Sequence, residues 1–254
     1  SSNYSTAGST TIPTKTDAGS YTVYYYTPGN GNYSAKNGSV TSKINAYNLT
    51  NATIASVSSQ TYTGNEIKPT PAVTVPLPSG STTTLVNGTD FNYSYSNNKN
   101  AGTATVTITG KGNYTGSKSI NFTIGKKGNT LSVTAKTLTY NKKDQALVSV
   151  SIAQGTVYYA VGTELTSSNY SSSGSTTIPT KMNAGSYAVY YYTPGNGNYQ
   201  AKSGNVTAKI NAYNLSNATI ASVSNHTYTG NEIKPTPAVT VPLPSGSTTT
   251  LVNG

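Results

Sequence analysis

Any chemistry done by this 254-residue chain has to come from six carboxylates, one histidine, 16 basic residues that are all lysine, and 22 tyrosines. The acids are Asp17, Glu66, Asp90, Asp144, Glu164 and Glu232, and no two are close in sequence. General acid–base catalysis needs titratable groups that converge on one reacting atom. This spacing offers no pair. The single histidine, His226, is matched by Gln60 in a second copy of its surroundings, so a repeated catalytic role is not expected. No Asp-x-Asp-x-Asp run offers a calcium loop. There is no Cys, hence no disulfide and no thiolate metal site. The chain reads as a non-enzyme with no metal or cofactor.

Two constellations keep a chemical reading. Glu66, Asp144 and Glu232 each follow a tyrosine by four residues, at equivalent places. A buried acid beside a Lys–Asn pair can assist an amide cross-link that expels ammonia, and Lys118 and Asn121 lie in or near one predicted strand. The plainer reading is a solvated carboxylate that pairs with lysine or caps a turn. The second constellation is Tyr24-Tyr25-Tyr26. Strand alternation sends Tyr24 and Tyr26 to one face and Tyr21, Val23 and Tyr25 to the other. Tyr190 and Tyr192 repeat the arrangement. If that face is open, its rings could stack on a glycan; otherwise one face is core and the other packs on a loop or a neighbour.

These residues need a scaffold, and the composition points to strands. Thr, Ser, Val, Ile and Tyr suit pleated, half-buried surfaces, with Gly and Pro at short intervals between them. Only 9% of residues are charged, yet the net charge is +10. Nucleic-acid readers favour the arginine fork, and here scattered lysines do the work. We therefore expect solubility and weak attraction to an anionic wall polymer, not nucleic-acid binding. No run is apolar enough to cross a membrane. No signal peptide is seen, and a targeting segment is expected outside this window. Asn-x-Ser/Thr sequons at Asn51, Asn113 and Asn121 carry no message without a eukaryotic host.

One pattern recurs three times: an Asp/Asn-Ala-Gly turn, an alternating strand, and a Gly-x-Gly-Asn-Tyr corner. It spans residues 17–33, 100–114 and 183–199. Residues 1–88 also return as 167–254, differing at 12 of 88 positions. A long period of this kind signals a tandem array. The period holds two sibling modules. The expected boundaries are 1–46 (the C-terminal part of a first-type module), 47–126 (a complete second-type module), 127–212 (a complete first-type module) and 213–254 (the N-terminal part of a second-type module). Cut modules at both ends suggest a window on a longer polypeptide.

Predicted strands in 47–126 are 52–57, 72–75, 82–86, 91–96, one through Ala104, Val106 and Ile108, and one through Ile120, Phe122 and Ile124. Asn87-Gly88 reads as a hairpin turn. In 127–212 they are 131–135, 147–152, 156–161, 187–193 and 206–210, with the Ser-rich loop 165–176 as an exposed, adaptable tip. About seven short strands per module fit an immunoglobulin-like β-sandwich. A tyrosine corner is expected at Tyr21 or Tyr33.

Residues 128–212 (TLTYNKKDQALVSV, GTVYYAVG, STTIPTKMNAGSY, GNGNYQAK) resemble the mostly-bacterial immunoglobulin-like repeats of large surface proteins. Residues 52–124 (TYTGNEIKP, LVNGTDFNYSYSNNKNAGTATVTITGKGNYTGS, FTI) resemble a companion repeat of Gram-positive bacteria. The resemblance implies an all-β fold: tandem immunoglobulin-like modules in an elongated array. It implies an extracellular bacterial cell-surface or secreted adhesin-like protein, with these repeats as stalk or fibre. The alternatives are a multivalent glycan-binding array and a segment of a self-assembling filament. Expected partners are neighbouring modules, other copies of the chain, and cell-wall or host glycans.

Overall fold

The computed structural model describes residues 4–151 and 154–252. The chain is predominantly β. Contacts gather it into two units, 1–126 and 127–254, and each is taken separately.

In the first unit, Gly19–Thr27 and Lys36–Ile44 form an antiparallel hairpin. Two further sheets follow. One runs in the order Gln60–Thr61, Ser117–Gly125, Gly102–Gly110, Phe91–Ser96. The other runs Thr53–Ile54, Val73–Pro76, Thr82–Thr84. The alternation read from sequence works as pleat geometry requires: Ala104, Val106 and Ile108 are fully buried on one face. Ile54, Val73 and Val75 from the short sheet share one buried cluster with Phe91 and Ile108 from the long one. A second cluster joins Ala104, Val106, Phe122 and Ile124.

Two expectations are corrected here. The strand predicted over 52–57 shrinks to Thr53–Ile54, the two residues that pair with Thr74 and Val73, and a 3-10 turn over Leu49–Asn51 precedes it. The Asn48 side chain accepts from the Thr50 amide at 3.0 Å, a local bond that competes with extended pairing. Asn87-Gly88 is not a two-residue hairpin. Asp90 folds back instead: its amide donates to the Val86 carbonyl at 2.8 Å and its carboxylate accepts from the Val86 amide at 2.7 Å. The preceding strand stops at Thr84.

In the second unit the main sheet runs Thr137–Thr139, Lys202–Asn211, Gly185–Thr193, Tyr158–Val161. Ser132–Ala135 pairs with Val148–Ser151, and Gln145–Ala146 with Thr180–Lys181. The last residue of the predicted strand 147–152 lies outside the described residues. Leu131, Leu147, Val148, Tyr159, Val189 and Ile210 belong to the core. The closing strand is longer than the predicted 206–210, since it pairs with Gly185–Thr193 along that strand's whole length. Beyond it, Thr219–Ile220, Val239–Pro242 and Thr248–Leu251 repeat the short sheet of the first unit.

The Ser-rich loop is a further correction. It carries a one-turn helix, Tyr170–Ser173, and Leu165 at its start is buried. Tyr170 and Leu165 anchor the loop to the sheet, so it is not a free tip.

Short parallel pairings recur, which the alternating pattern alone does not foretell. Thr137–Thr139 lies parallel to Lys209–Asn211. Gln60–Thr61 lies parallel to Ile124–Gly125, and Tyr47–Asn48 to Tyr114–Thr115.

Candidate functional site: tyrosine clusters and the Asn113 joint

The tyrosine face is built by cross-strand register. Tyr158 stands opposite Tyr192. Both strands alternate, so Tyr190 and Tyr192 point away from the face that buries Val189. That outer face is partly closed. The Tyr170 ring stacks on Tyr192 at 4.8 Å between centroids, and meets Tyr158 edge-on at 4.8 Å. Such pairs add to plain area burial. Tyr192 is buried as a result, so the expected open glycan face is corrected at this residue. Tyr190 is half-buried. In the first unit Tyr26 is half-buried while Tyr24 is 80% exposed. Sequence reasoning passes over Tyr170, although a lone aromatic within a serine-rich loop is itself the signal of an anchor.

On the other face, Tyr191 lies opposite Gly204 and Tyr25 opposite Gly38. A Cβ added at either glycine would collide with the phenol oxygen across the ladder. Glycine there is the space the ring occupies. In the corner itself, Gly195 has φ +70, and an added Cβ would run into the Tyr199 carbonyl. Both the handedness and the close approach demand glycine.

The acids do not converge. Among the described residues no group of three metal-ligating side chains forms. Glu66 is exposed and pairs with Lys68 at 2.7 Å; that hydrogen bond, and then the lysine's charge, holds its carboxyl below the usual range. Glu232 pairs with Lys234 at 3.4 Å, also in solvent. Asp144 is exposed. None is the buried acid a Lys–Asn cross-link requires. Lys118 and Asn121 are not a pair either, since their odd separation puts them on opposite faces. Lys118 Nζ donates to the carbonyls of Thr50 and Ala52 at 3.1 and 2.5 Å. Asn121 accepts from Thr105 at 2.9 Å. Lys202 plays a similar part in the other module type, donating to the Leu131 carbonyl at 2.7 Å.

A feature of a different kind sits at Asn113. Its Nδ2 donates to the Asp17 carboxylate at 2.9 Å, and its Oδ1 accepts from the Ala18 amide at 2.6 Å. The same residue's carbonyl accepts from the Tyr47 amide at 2.8 Å. One corner asparagine thus grips the turn of the preceding repeat and the strand that opens its own. In the sequence it reads as part of the Gly-x-Gly-Asn-Tyr corner and as a chance sequon, with no sign of its distant partners.

No helix among the described residues is long and apolar enough to cross a membrane. No family model matches the chain, and no curated protein sequence matches it.

Proposed function

We propose that this chain is a structural repeat region, a stalk or fibre segment of a large bacterial cell-surface or secreted adhesin-like protein. Its modules are tandem immunoglobulin-like β-sandwiches in an elongated array outside the cell, and it has no catalytic role. The observation that carries the reading is the Asn113 joint. A repeat unit that closes its neighbour's turn with a side chain and its own first strand with its main chain is built to be coupled in series.

Two further features support it. The 88-residue recurrence rebuilds the same short sheet and the same asparagine-capped turn in both copies. The Tyr21 and Tyr187 phenols return to carbonyls four residues upstream at 2.7 Å, a bond of the kind a tyrosine corner makes, which supports Tyr21 over Tyr33 in that role. The glycan-array alternative is weakened by the closure of Tyr192 beneath Tyr170.

Small-angle scattering on chains carrying increasing numbers of the 166-residue period tests the proposal. The maximum dimension is expected to grow in proportion to copy number. Growth as the cube root of mass, the mark of a globule, would refute it.

A further inference from the structure

Four Asn-Gly steps fall among the described residues, at Asn30, Asn37, Asn87 and Asn196. Such a step carries its own nucleophile. The glycine amide nitrogen can attack the asparagine side-chain carbon, and with no Cβ beside it the approach is unhindered. Three conditions speed the attack: an amide N–H held by no acceptor, donors aimed at the side-chain oxygen as it gains charge, and open space around the glycine. The structure meets these conditions unequally.

Asn196 meets all three. Its Oδ1 accepts from the Asn198 amide at 2.9 Å and from the Tyr199 amide at 3.0 Å. Those two N–H groups face the oxygen on which negative charge develops, as donors do in an oxyanion hole. The Asn196 amide donates to the Tyr199 carbonyl at 3.2 Å, which closes the corner. The Gly197 amide donates to no main-chain carbonyl among the described residues. A Cβ placed on Gly197 would meet nothing within 4 Å. The other first-type corner repeats the arrangement. Asn30 Oδ1 accepts from the Asn32 and Tyr33 amides at 3.0 and 3.1 Å, and Gly31 is equally open.

The remaining steps are built differently. The Gly88 amide after Asn87 is tied to the Phe91 carbonyl at 2.7 Å, so its proton is held. Gly38 lies within the strand Lys36–Ile44, opposite Tyr25, whose ring crowds it. The second-type corner has no such step, since Lys111 stands where Asn196 does.

We propose that the first-type corner is a self-modifying site, at Asn196-Gly197 and Asn30-Gly31. The Gly197 nitrogen gives its proton to solvent base and bonds to Asn196 Cγ. The Cγ–Nδ2 bond breaks, and ammonia leaves with a proton from solvent. Water then adds to one carbonyl of the resulting five-membered imide and opens it to aspartate or isoaspartate. The sum is ammonia exchanged for water, with no oxidant or reductant. Each event lowers the net charge of +10 by one. In the aspartate product the carboxylate keeps the same two amide donors, now in charge-assisted bonds. In the isoaspartate product the main chain runs through Cγ and the corner is one carbon longer. First-type modules therefore record the age of the chain, and second-type corners do not. This chemistry is independent of the stalk reading.

The test is incubation of the whole chain in mildly alkaline buffer, folded and in urea, followed by site-resolved peptide mass mapping. Each event swaps an NH for an O and raises the mass accordingly. A fresh chain keeps the mass of its sequence. In the folded chain Asn196 and Asn30 should convert at least about tenfold faster than Asn87. In urea the corner is gone, so Asn196 should slow and the rates of Asn196 and Asn87 should converge. Gly197→Ala, for which the structure has room, should slow conversion at Asn196 and leave Asn30 unchanged. Asn87 converting as fast as Asn196 in the folded chain overturns the proposal. So does a rate at Asn196 that rises on unfolding, because the corner would then protect the residue.

Discussion

The phenol of Tyr187 donates to the main-chain carbonyl of Asn183 at 2.7 Å, spanning the Asn-Ala-Gly turn that launches the central strand of its sheet. Tyr21 and Asp17 repeat the bond at 2.7 Å. Lys181 lies 6.0 Å over the Tyr187 ring, and Lys15 5.8 Å over Tyr21. The sibling module has Ala104 at this place and holds its turn another way. Asn98 donates through Nδ2 to the Ile67 carbonyl at 3.1 Å, and its own carbonyl accepts from the Ile67 amide at 2.7 Å. Tyr187→Phe keeps the ring and removes one neutral hydrogen bond, so it should cost about 0.5–1.5 kcal/mol in urea denaturation. An unchanged midpoint would show the bond to be incidental.

Gly204→Ala should be costlier than its size suggests. The new Cβ meets the Tyr191 hydroxyl across the ladder, and the ring is half-buried against the core. Overpacking of this kind costs about 1–3 kcal/mol. Tyr191→Phe in the same chain should recover part of the loss, because the nearest colliding atom is gone while ring carbon Cζ still crowds the new Cβ; a double variant less stable than Gly204→Ala alone would contradict the steric account.

Asn113→Ala removes the grip on Asp17 and Ala18 while leaving the Tyr47 main-chain bond in place. Exchange at the Ala18 amide should accelerate, with the core strand Gly102–Gly110 unaffected. Equal rates at Ala18 in variant and parent would mean that the joint is held elsewhere.

Lys118→Met keeps the aliphatic stem and loses the ammonium bonds to Thr50 and Ala52. A partly buried charged donor of this sort is worth about 1.5–3 kcal/mol, less whatever solvent screening removes. Intact mass of the parent chain should equal that of its sequence, with no ammonia lost. A deficit of one ammonia would restore the cross-link that the exposed Glu66 and Asp144 argue against.

Alkaline stability follows from the buried phenols. Burial raises Tyr159 above the ordinary value of 10.0, and burial followed by the neighbouring Tyr95 raises Tyr93. A raised phenol favours the neutral form in the fold, and the unfolded chain ionises first. The contribution is fully present below about pH 10 and is lost as pH rises from there through the folded value. Tyr159→Phe should therefore show a shallower fall in stability above about pH 10 than the parent. Parallel curves for the two proteins would exclude Tyr159 as a source.

Much of this fold is legible in the sequence because its strands are half-buried and alternate. Ala104, Val106 and Ile108, and the Phe91–Tyr93–Tyr95 ladder, follow from period two alone. What escapes is the work of polar side chains on the main chain. Asn48 caps an unforeseen 3-10 turn just ahead of the predicted strand 52–57, and Asp90 closes the loop in which Asn87-Gly88 reads as a hairpin. Neither effect leaves a periodic trace, since each depends on one oxygen meeting one amide. The candidate tyrosines fall on the expected strand faces, but the covering ring of Tyr170 comes from a loop whose composition reads as solvent-exposed. Asn113 is hidden for the same reason: its partners lie 95 and 96 residues away.

The parallel pairing of Thr137–Thr139 with Lys209–Asn211 has a mechanical meaning. The chain enters the 127–212 region at Lys127, which is bridged to Tyr199, pairs Ser132–Ala135 with Val148–Ser151, and then reaches the first of these strands; it leaves just after the second. Once those earlier contacts yield, tension on the two ends pulls the strands along their own axes in opposite directions. The ladder is loaded in shear, with all of its bonds strained together, rather than peeled open one at a time. The tether from Lys202 to Leu131 ties the same two edges further along. Single-molecule pulling should find that breaking this pairing with Leu138→Pro lowers the rupture force; an unchanged force would place the clamp elsewhere. A chain organised in this way resists tension where a short strand near its entry and the long closing strand run side by side.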